Sequence, residues 1–179
     1  MNLLSTLLAI LALAGPPPPV SADPPPASPA SPASPASPGP RPGSGMWPLE
    51  DTDVVRGFDG PETPWDAAHR GADLAGRPGQ VVRSALAGTV AFAGVIAGRG
   101  VVSVDHGGYR TTYEPVVAQV ATGQPVERGQ LLGLLEVAGT HCPPAACLHW
   151  GLRVGEEYRD PLLLIGARNV RLLPLGGTG

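Results

Sequence analysis

The chain has 179 residues, and its 12 basic and 15 acidic side chains leave a net charge of −3. This balance, without any basic cluster, argues against nucleic acid as a partner, and no run of charges indicates a membrane-surface stripe. Aromatic residues make up only 4% of the chain, so a hydrophobic core must be built from Val, Leu, Ile and Ala. The part able to form that core comprises about 120 to 130 residues, the usual size of a single domain.

A short apolar run, Leu3 to Ala14, begins the N-terminal segment. A bilayer span needs about 20 apolar residues, so this run fits the hydrophobic region of a secretory signal peptide instead. Val20, Ser21 and Ala22 form a small-residue cleavage site, although no Lys or Arg precedes the apolar run. We therefore expect residues 1–22 to be a signal peptide, with a plain apolar tail as the alternative. The protein would then be secreted or associated with a bacterial cell wall, without a stable membrane span after cleavage.

Residues 23–45 consist largely of Pro, Ala and Ser, with a three-residue Ala-Ser-Pro repeat from Ala27 to Pro38. Such a segment has little apolar bulk to bury, and every third residue lacks an N–H donor. The expected structure is an extended, polyproline-like spacer of about 3.1 Å per residue, and a disordered tail is the alternative. Both interpretations place this linker outside the folded domain.

Residues 46–166 carry short β-type runs separated by glycine turns, and no window shows a helical apolar period. Trp47–Leu49 and Val54–Phe58 look like entry strands. The further expected strands are Val81–Ala85, Gly88–Ala93, Val101–Asp105, Tyr109–Tyr113, Gln130–Leu135 and Leu148–Val154. Short strands at regular spacing predict an all-β fold, a compact antiparallel β-sandwich. Residues 167–179 end in a glycine-rich run and are expected to be a C-terminal tail.

Two distant stretches of this domain provide candidate metal ligands. His69 and Asp73 are four residues apart, so in a strand both side chains lie on one face, and Gly71 lets the backbone approach closely. His149 supplies a second imidazole from near the other end of the domain. Two histidines, one carboxylate and an open fourth position form a common catalytic zinc shell. The residues therefore predict a Zn²⁺ site, with an ordinary surface pair of His69 and Asp73 as the alternative.

The order of motifs along the domain strengthens this prediction. They are His69-Arg70-Gly71-Ala72-Asp73, Gly79-Gln80-Val81-Val82, Ala87-Gly88-Thr89-Val90, Val104-Asp105-His106-Gly107-Gly108, Thr111-Thr112-Tyr113, Gly129-Gln130 and Leu148-His149-Trp150-Gly151. The series resembles the lysostaphin-type, or LytM-like, zinc metallopeptidases, which cut peptide bridges in bacterial peptidoglycan. The resemblance implies Zn²⁺ bound by His69, Asp73 and His149, and a peptidoglycan peptide as substrate. It also implies a sandwich of the duplicated hybrid-motif type, with the site in a groove on one sheet.

The sequence departs from the family pattern at its two catalytic histidines. Pro115 stands where the family has a histidine after its Thr-x-Tyr, and Cys147 replaces the first histidine of its His-x-His. In the family, this pair orients and deprotonates the attacking water and stabilises the tetrahedral intermediate. Glu114 could act as a base in their place, as a glutamate does in other zinc proteases. Adjacent strand residues point to opposite faces, so we expect that only a bulge would aim Glu114 at the metal.

Cys142 and Cys147 are the two cysteines of the chain, separated by Pro143-Pro144-Ala145-Ala146. An even number of cysteines in an exported protein predicts a disulfide, which would fix the loop before His149 and remove Cys147 from acid–base chemistry. A Cys147 thiolate beside the metal is the alternative.

His141 could swing towards the groove and substitute for a missing histidine, but we expect it to be a solvent-facing loop residue.

Two functions from different classes remain open. The first is an exported zinc metallopeptidase that attacks a peptide bond of peptidoglycan with zinc-activated water. The second is a degenerate, non-catalytic module that binds peptidoglycan or regulates another cell-wall hydrolase, as Pro115 and Cys147 suggest. A hybrid-motif carrier or sugar-binding domain is a third, weaker possibility, since Gly123 to Gly133 resembles a turn common in such folds. A carrier lysine is missing, because the chain contains no lysine.

Overall fold

The computed structural model describes residues 39–61, 63 and 66–166. The expected signal peptide, residues 1–22, most of the expected linker and the expected tail, residues 167–179, lie outside the described residues. Within the described ranges, no helix is long and apolar enough to cross a bilayer.

Eleven strands and one 3₁₀ helix make up the secondary structure of these residues. In chain order they are β1 (Val54–Arg56), β2 (Gly71–Gly76), β3 (Val81–Arg83), β4 (Gly88–Ile96), β5 (Arg99–Asp105), β6 (Tyr109–Glu114), β7 (Val116–Ala118), β8 (Pro125–Val126), β9 (Leu131–Leu135), β10 (Ala146–Val154), β11 (Glu157–Arg159) and the 3₁₀ helix Pro161–Ile165. The predicted all-β class is therefore confirmed.

Two antiparallel sheets enclose one hydrophobic core. The larger sheet has the order β1-β2-β10-β6-β5-β4-β8, with β11 paired to the end of β10, and the smaller has the order β3-β9-β7. Val82 and Leu132 of the smaller sheet belong to the same buried cluster as Leu74 and Trp150 of the larger one. The predicted antiparallel β-sandwich is confirmed by this arrangement.

The central strand β10 shows how the sequence separates the core from the functional face. Leu148, Trp150 and Leu152 are at most 1% exposed and belong to the core. Because side chains alternate along a strand, the intervening His149 and Gly151 lie on the opposite face of the larger sheet. The apolar residues of β10 thus fix which face its histidine occupies.

Most of the strands predicted from the sequence are present, but the entry strand predicted at Trp47–Leu49 is wrong. This segment has no strand structure, although Leu49 is buried in the core. Pro48 has no N–H to donate to a ladder, and its carbonyl accepts a single hydrogen bond from the Arg83 N–H at 2.9 Å. Apolar character alone suggested a strand here, whereas the backbone of Pro48 prevents regular pairing.

Residues just before the expected domain start at Met46 contact the domain. The backbone N–H groups of Gly43 and Gly45 donate to the carbonyls of Leu163 and Leu164, at 3.0 and 2.7 Å. The last residues of the expected linker are therefore hydrogen-bonded to the 3₁₀ helix at the other end of the domain.

The buried hydroxyl of Tyr113 gives a prediction for the stability of the fold. Its Oη accepts hydrogen bonds from the Ala85 N–H and the Thr111 hydroxyl, both at 2.9 Å, and burial raises the pKa of the phenol so that it stays neutral. Tyr113→Phe would leave the buried Ala85 N–H without a partner, which costs about 1–3 kcal/mol, whereas the Thr111 hydroxyl keeps its 2.8 Å contact with Nε2 of His106. We expect urea denaturation to show a free energy of unfolding lowered by that amount.

The control for this measurement is Tyr158→Phe. Tyr158 is 38% exposed, and its ring contacts with the guanidinium groups of Arg70 and Arg153 survive the substitution. Equal unfolding midpoints for Tyr113→Phe and the wild type would show that the buried hydroxyl does not support the core.

Candidate metal centre

The register of two neighbouring strands brings the candidate ligands together. Asp73 on β2 pairs directly with His149 on β10, so both side chains lie on the same face of the larger sheet. His69 precedes β2 and is held by an isolated bridge to Asp59. The three predicted ligands, which are up to 80 positions apart in the sequence, therefore converge at one place.

Asp73 is the centre of this cluster. One of its carboxylate oxygens, Oδ1, lies 2.8 Å from Nδ1 of His149 and 3.0 Å from Nε2 of His69. The side chains of His69 and Asp73 are 4% and 1% exposed, and that of His149 is 11% exposed. The potential ligand atoms lie within 4.8 Å of one another. A single ion could contact all three residues.

The protonation of His69 tests whether these residues fit a cation. Its Nδ1 lies 2.6 Å from the Gly57 carbonyl, which can only accept, so Nδ1 carries the proton. The other nitrogen, Nε2, is buried, faces the Asp73 carboxylate at 3.0 Å and has no other hydrogen-bond partner. A buried imidazole nitrogen this close to a carboxylate needs a positive charge between them, which a proton or a metal ion can supply. The donor set, two imidazoles and one carboxylate, fits zinc.

The charge state of Asp73 agrees with this arrangement. Burial is the largest influence and raises the pKa of the carboxyl, but hydrogen bonds and charges from His149 and His69 together outweigh it. The pKa of Asp73 is therefore lowered from its ordinary value, and the carboxylate is ionised at neutral pH. An ionised carboxylate is the form that binds a metal.

Gly71 allows the two strands of the site to approach each other. A Cβ atom at this position would lie 2.5 Å from the carbonyl oxygen of Trp150 and 2.7 Å from Nε2 of His149. No side chain other than hydrogen fits there without a shift of the β10 backbone. Gly71, which was predicted to permit a close approach of the backbone, therefore lies directly beside the candidate ligand His149.

The two positions that depart from the family pattern offer no proton-transfer group. Pro115 follows the end of β6, and its carbonyl accepts a hydrogen bond from the Glu136 N–H at 3.1 Å. Cys147 on β10 is bonded to Cys142, with the two Cα atoms 5.8 Å apart. The disulfide leaves no thiol at Cys147, so the alternative of a metal-bound thiolate does not describe this structure.

Glu114 reaches the site without a bulge, so the expectation that only a bulge would aim it at the metal is wrong. It is the last residue of β6 and pairs directly with His149 on β10, which places both side chains on one face. The strand ends before Pro115, and Glu114 is the residue that borders the cleft.

His141 is an exposed loop residue, as expected, but its imidazole also borders the site. Its Nδ1 lies 3.3 Å from Asp73 Oδ1, and its ring centroid lies 4.8 Å from that of His149. Its side chain remains 31% exposed. The loop that joins Cys142 to Cys147 is short enough to keep this imidazole over the cluster.

Arg99 is a component of the site that the sequence analysis missed. Its guanidinium contacts Nε2 of His141 at 3.0 Å and the Glu114 carboxylate at 3.4 Å. These residues border a cleft of about 350 Å³ together with His69 and His149. No motif singled out Arg99, because its contact with His141 spans 42 positions and depends on the folded loop.

Comparison with known proteins assigns the class of this site. The model of peptidase family M23 matches residues 67–161, which contain the converging ligands and the cleft. The chain belongs to peptidase family M23. The resemblance to lysostaphin-type metallopeptidases is confirmed by this result, and neither Pro115 nor Cys147 contradicts it.

Individual relatives support the same assignment. The chain is 51% identical over 139 residues to the uncharacterized protein Rv2891 of Mycobacterium tuberculosis, covering 74% of this chain and 56% of that protein. It thus spans little more than half the length of this relative. A zinc-containing peptidase from Vibrio cholerae is 26% identical, covering 68% of this chain and 39% of the other, with a TM-score of 0.55. Lysostaphin from Staphylococcus simulans is 22% identical, covering 71% and 58%, and its TM-score of 0.56 shows the shared fold.

Proposed function

We propose that the protein is an exported zinc metallopeptidase that hydrolyses a peptide bond of bacterial peptidoglycan. The observation that carries this proposal is the buried, unpartnered Nε2 of His69, which faces the Asp73 carboxylate beside His149. Membership of peptidase family M23 supports the peptidase activity. The zinc contained in the similar peptidase from Vibrio cholerae supports the choice of metal.

Different residues of the chain would bind the metal and carry out proton transfer. His69 through Nε2, Asp73 through Oδ1 and His149 through Nδ1 would hold zinc, and the Gly57 carbonyl fixes the orientation of His69. When bound, zinc supplies Lewis-acid polarisation of a peptide carbonyl and activates water for attack. The protein's own task is then to accept the proton of that water and to stabilise charge on the carbonyl oxygen.

Glu114 is our candidate for the proton acceptor. Its carboxylate lies on the same face as His149, is 20% exposed, and contacts the Arg99 guanidinium at 3.4 Å. The ion pair holds the carboxylate at the wall of the cleft while leaving a second oxygen for a proton. The histidines that the family uses are absent at Pro115 and Cys147, so the acceptor must come from another residue.

Export and a cell-wall substrate are supported by features outside the site. The apolar run and small-residue cleavage site in residues 1–22 are typical of a signal peptide, and the Pro-rich linker suits a domain that must reach through a cell wall. The bond between Cys142 and Cys147 suits an oxidising compartment outside the cytoplasm. We therefore propose a secreted or cell-wall-associated bacterial protein.

A second candidate function rests on the loss of both family histidines. The same domain, without turnover, would bind peptidoglycan or regulate another cell-wall hydrolase. The observation in its favour is that Pro115 and the disulfide-bonded Cys147 provide no acid or base. Incubating the purified mature protein with peptidoglycan and measuring newly released amino groups separates the two functions. Zinc-dependent release supports the peptidase, and binding without release supports the non-catalytic module.

Glu114→Gln tests the mechanism within the peptidase proposal. Loss of a general base lowers the rate by about 10²- to 10⁴-fold, and we expect kcat for amine release to fall within that range. Zinc content should stay at the wild-type level, because Glu114 is not a ligand.

The matched control for Glu114→Gln is Glu157→Gln. The Glu157 side chain is 70% exposed, pairs with Arg159 and does not line the cleft. Wild-type kcat in Glu114→Gln would exclude Glu114 as the base while leaving the proposed zinc site untouched.

A further inference from the structure

We propose that Arg99 is a catalytic residue of this site, whose guanidinium binds the carbonyl oxygen of the substrate as negative charge develops there. This role rests on the proposed peptidase function. Neither Pro115 nor the disulfide-bonded Cys147 carries a group that could stabilise such a charge. An arginine remains protonated throughout the physiological pH range, so the role of Arg99 does not depend on titration.

The guanidinium of Arg99 contacts two neighbours of the candidate ligand His149. One is Glu114, directly opposite His149 in the ladder, whose carboxylate lies 3.4 Å from Nε of Arg99. The other is His141, whose ring centroid lies 4.8 Å from that of His149 and whose Nε2 lies 3.0 Å from NH1 of Arg99. Arg99 lines the same cleft as His69 and His149. A peptide carbonyl placed at the metal cluster is therefore within reach of the guanidinium.

The guanidinium of Arg99 has further donors for a ligand. It carries five N–H groups in a planar fork, and its contacts with Glu114 and His141 involve Nε and NH1. Within the described part of the chain, NH2 has no hydrogen-bond partner. The side chain is 32% exposed, so a bound peptide can contact these remaining N–H groups.

The other nitrogen donors that line the cleft are held by different partners. Nε2 of His141 contacts Arg99, and its Nδ1 lies 3.3 Å from Asp73 Oδ1. Arg70 donates to a backbone carbonyl at 3.0 Å, and its guanidinium lies over the ring of Tyr158. Arg99 is thus the cation that lies beside the proposed base and faces the cleft.

The backbone around Arg99 fixes the position of its side chain. Arg99 begins β5 and pairs with Ile96 at the end of β4. Ala97 and Gly98 join them with φ angles of 50° and 79°, as in a tight two-residue hairpin turn. A Cβ atom at Gly139 would lie 3.0 to 3.2 Å from Cβ, Cγ and Cδ of Arg99, so the glycine lets its loop pack against the arginine stem. A donor held in place beforehand stabilises developing charge without reorganisation during the reaction.

The proposed step can be written atom by atom. A bond forms between the water oxygen and the peptide carbon, and one water proton passes to Glu114. The π electrons of the carbonyl move to its oxygen, which accepts hydrogen bonds from Arg99. When the C–N bond breaks, its electron pair stays on nitrogen, which takes the proton from Glu114, and the electron pair on oxygen re-forms the carbonyl. The products are an amine and a carboxylic acid, and Arg99 neither gains nor loses a proton.

Binding of a phosphinate peptide measures the contact without turnover. The probe is a peptidoglycan stem peptide in which a phosphinate replaces one peptide group, and the unmodified peptide is the comparison. Both are titrated calorimetrically into zinc-loaded Glu114→Gln, with and without Arg99→Met, so that Arg99 cannot act through the Glu114 carboxylate. Removing an oxyanion donor weakens stabilisation by about 10²- to 10³-fold, and we expect Arg99→Met to lower phosphinate affinity by that factor and to leave the affinity for the unmodified peptide nearly unchanged. An unchanged phosphinate affinity, or an equal loss for both ligands, would overturn the proposal.

Arg110→Met is the matched control for Arg99→Met. Arg110 lies on the neighbouring strand of the same sheet, pairs with Asp105 at 3.3 Å and does not line the cleft, so its loss should leave both affinities unchanged. Arg99→Lys keeps the positive charge without the planar fork and should lose less phosphinate affinity than Arg99→Met. An equal loss in the two variants would contradict the electrostatic role. Zinc content and circular dichroism should match the wild type in every variant.

Hydrolysis provides the second measurement. In Arg99→Met, kcat for amine release should fall by about 10²- to 10³-fold with KM nearly unchanged. The same substitution should lower kcat again in the Glu114→Gln background. Equal kcat values for Glu114→Gln and the double variant would show that Arg99 acts only by holding Glu114, and would refute contact with the substrate. If the wild type releases no amine, the peptidase proposal fails, while the phosphinate comparison still decides whether Arg99 binds the oxyanion.

Discussion

His149→Ala is expected to abolish zinc binding and, with it, peptide hydrolysis. His149 is one of the three proposed ligands, through Nδ1 at 2.8 Å from Asp73 Oδ1, and alanine would leave only His69 and Asp73 of that set. Removing a residue that merely supports a ligand costs about 10- to 100-fold in metal affinity. Removing the ligand itself should exceed that range, so the purified variant should lose its zinc on dialysis.

Elemental analysis of the dialysed protein measures this effect, with circular dichroism to show that the β structure is retained. His106→Gln is the control, because it replaces a histidine that is hydrogen-bonded to Ala87 and Thr111 and lies outside the cluster. It should keep its zinc. Full zinc occupancy in His149→Ala would exclude His149 as a ligand and would remove the basis of the proposed function.

The result for His149 also bears on the choice between the two functional classes. A non-catalytic module could retain the same zinc site, so zinc loss alone does not distinguish a peptidase from a binding module. Amine release by the wild type, with loss in Glu114→Gln at unchanged zinc content, does distinguish them. Together, His149→Ala and Glu114→Gln distinguish a residue needed for zinc binding from a residue needed only for peptide hydrolysis.

The sequence predicts the ligand cluster because its geometry follows from short-range rules. His69 and Asp73 are close in the chain, and the alternation of β10 places His149 on the face opposite Leu148 and Trp150. Those rules also located most strands correctly. The segment Trp47–Leu49 was assigned wrongly because its contribution is burial of Leu49 without pairing, which hydrophobic pattern alone does not distinguish from a strand.

The rest of the site could not be derived from the sequence, because it depends on where strands end and how loops fold. Glu114 faces the cleft because β6 stops just before Pro115, and strand ends are poorly determined by local pattern. His141 lies 68 positions from Asp73, and its contact exists only because the disulfide loop folds back over β2. Arg99 belongs to none of the sequence motifs, yet its guanidinium contacts both Glu114 and His141. The candidates to replace the two family histidines thus come from a strand end and a loop.

Gly71→Ala should disrupt the metal site without removing any ligand. The added Cβ would lie 2.5 Å from the Trp150 carbonyl oxygen and 2.7 Å from Nε2 of His149, closer than such atoms approach in proteins. The carbonyl belongs to the backbone of β10, so relief requires β2 and β10 to separate. Overpacking of this kind costs about 1–3 kcal/mol, and the displacement moves His149 relative to Asp73, its direct partner.

We therefore expect Gly71→Ala to lower both the free energy of unfolding, measured in urea, and the affinity for zinc, measured by competition with a chelator. Gly57→Ala is the matched control: its carbonyl also serves the site, through His69, but an added Cβ there meets nothing within 4 Å. That variant should behave like the wild type in both measurements. Wild-type zinc affinity in Gly71→Ala would mean that the two strands can separate without displacing His149. The close contact of β2 and β10 would then not set the geometry of the cluster.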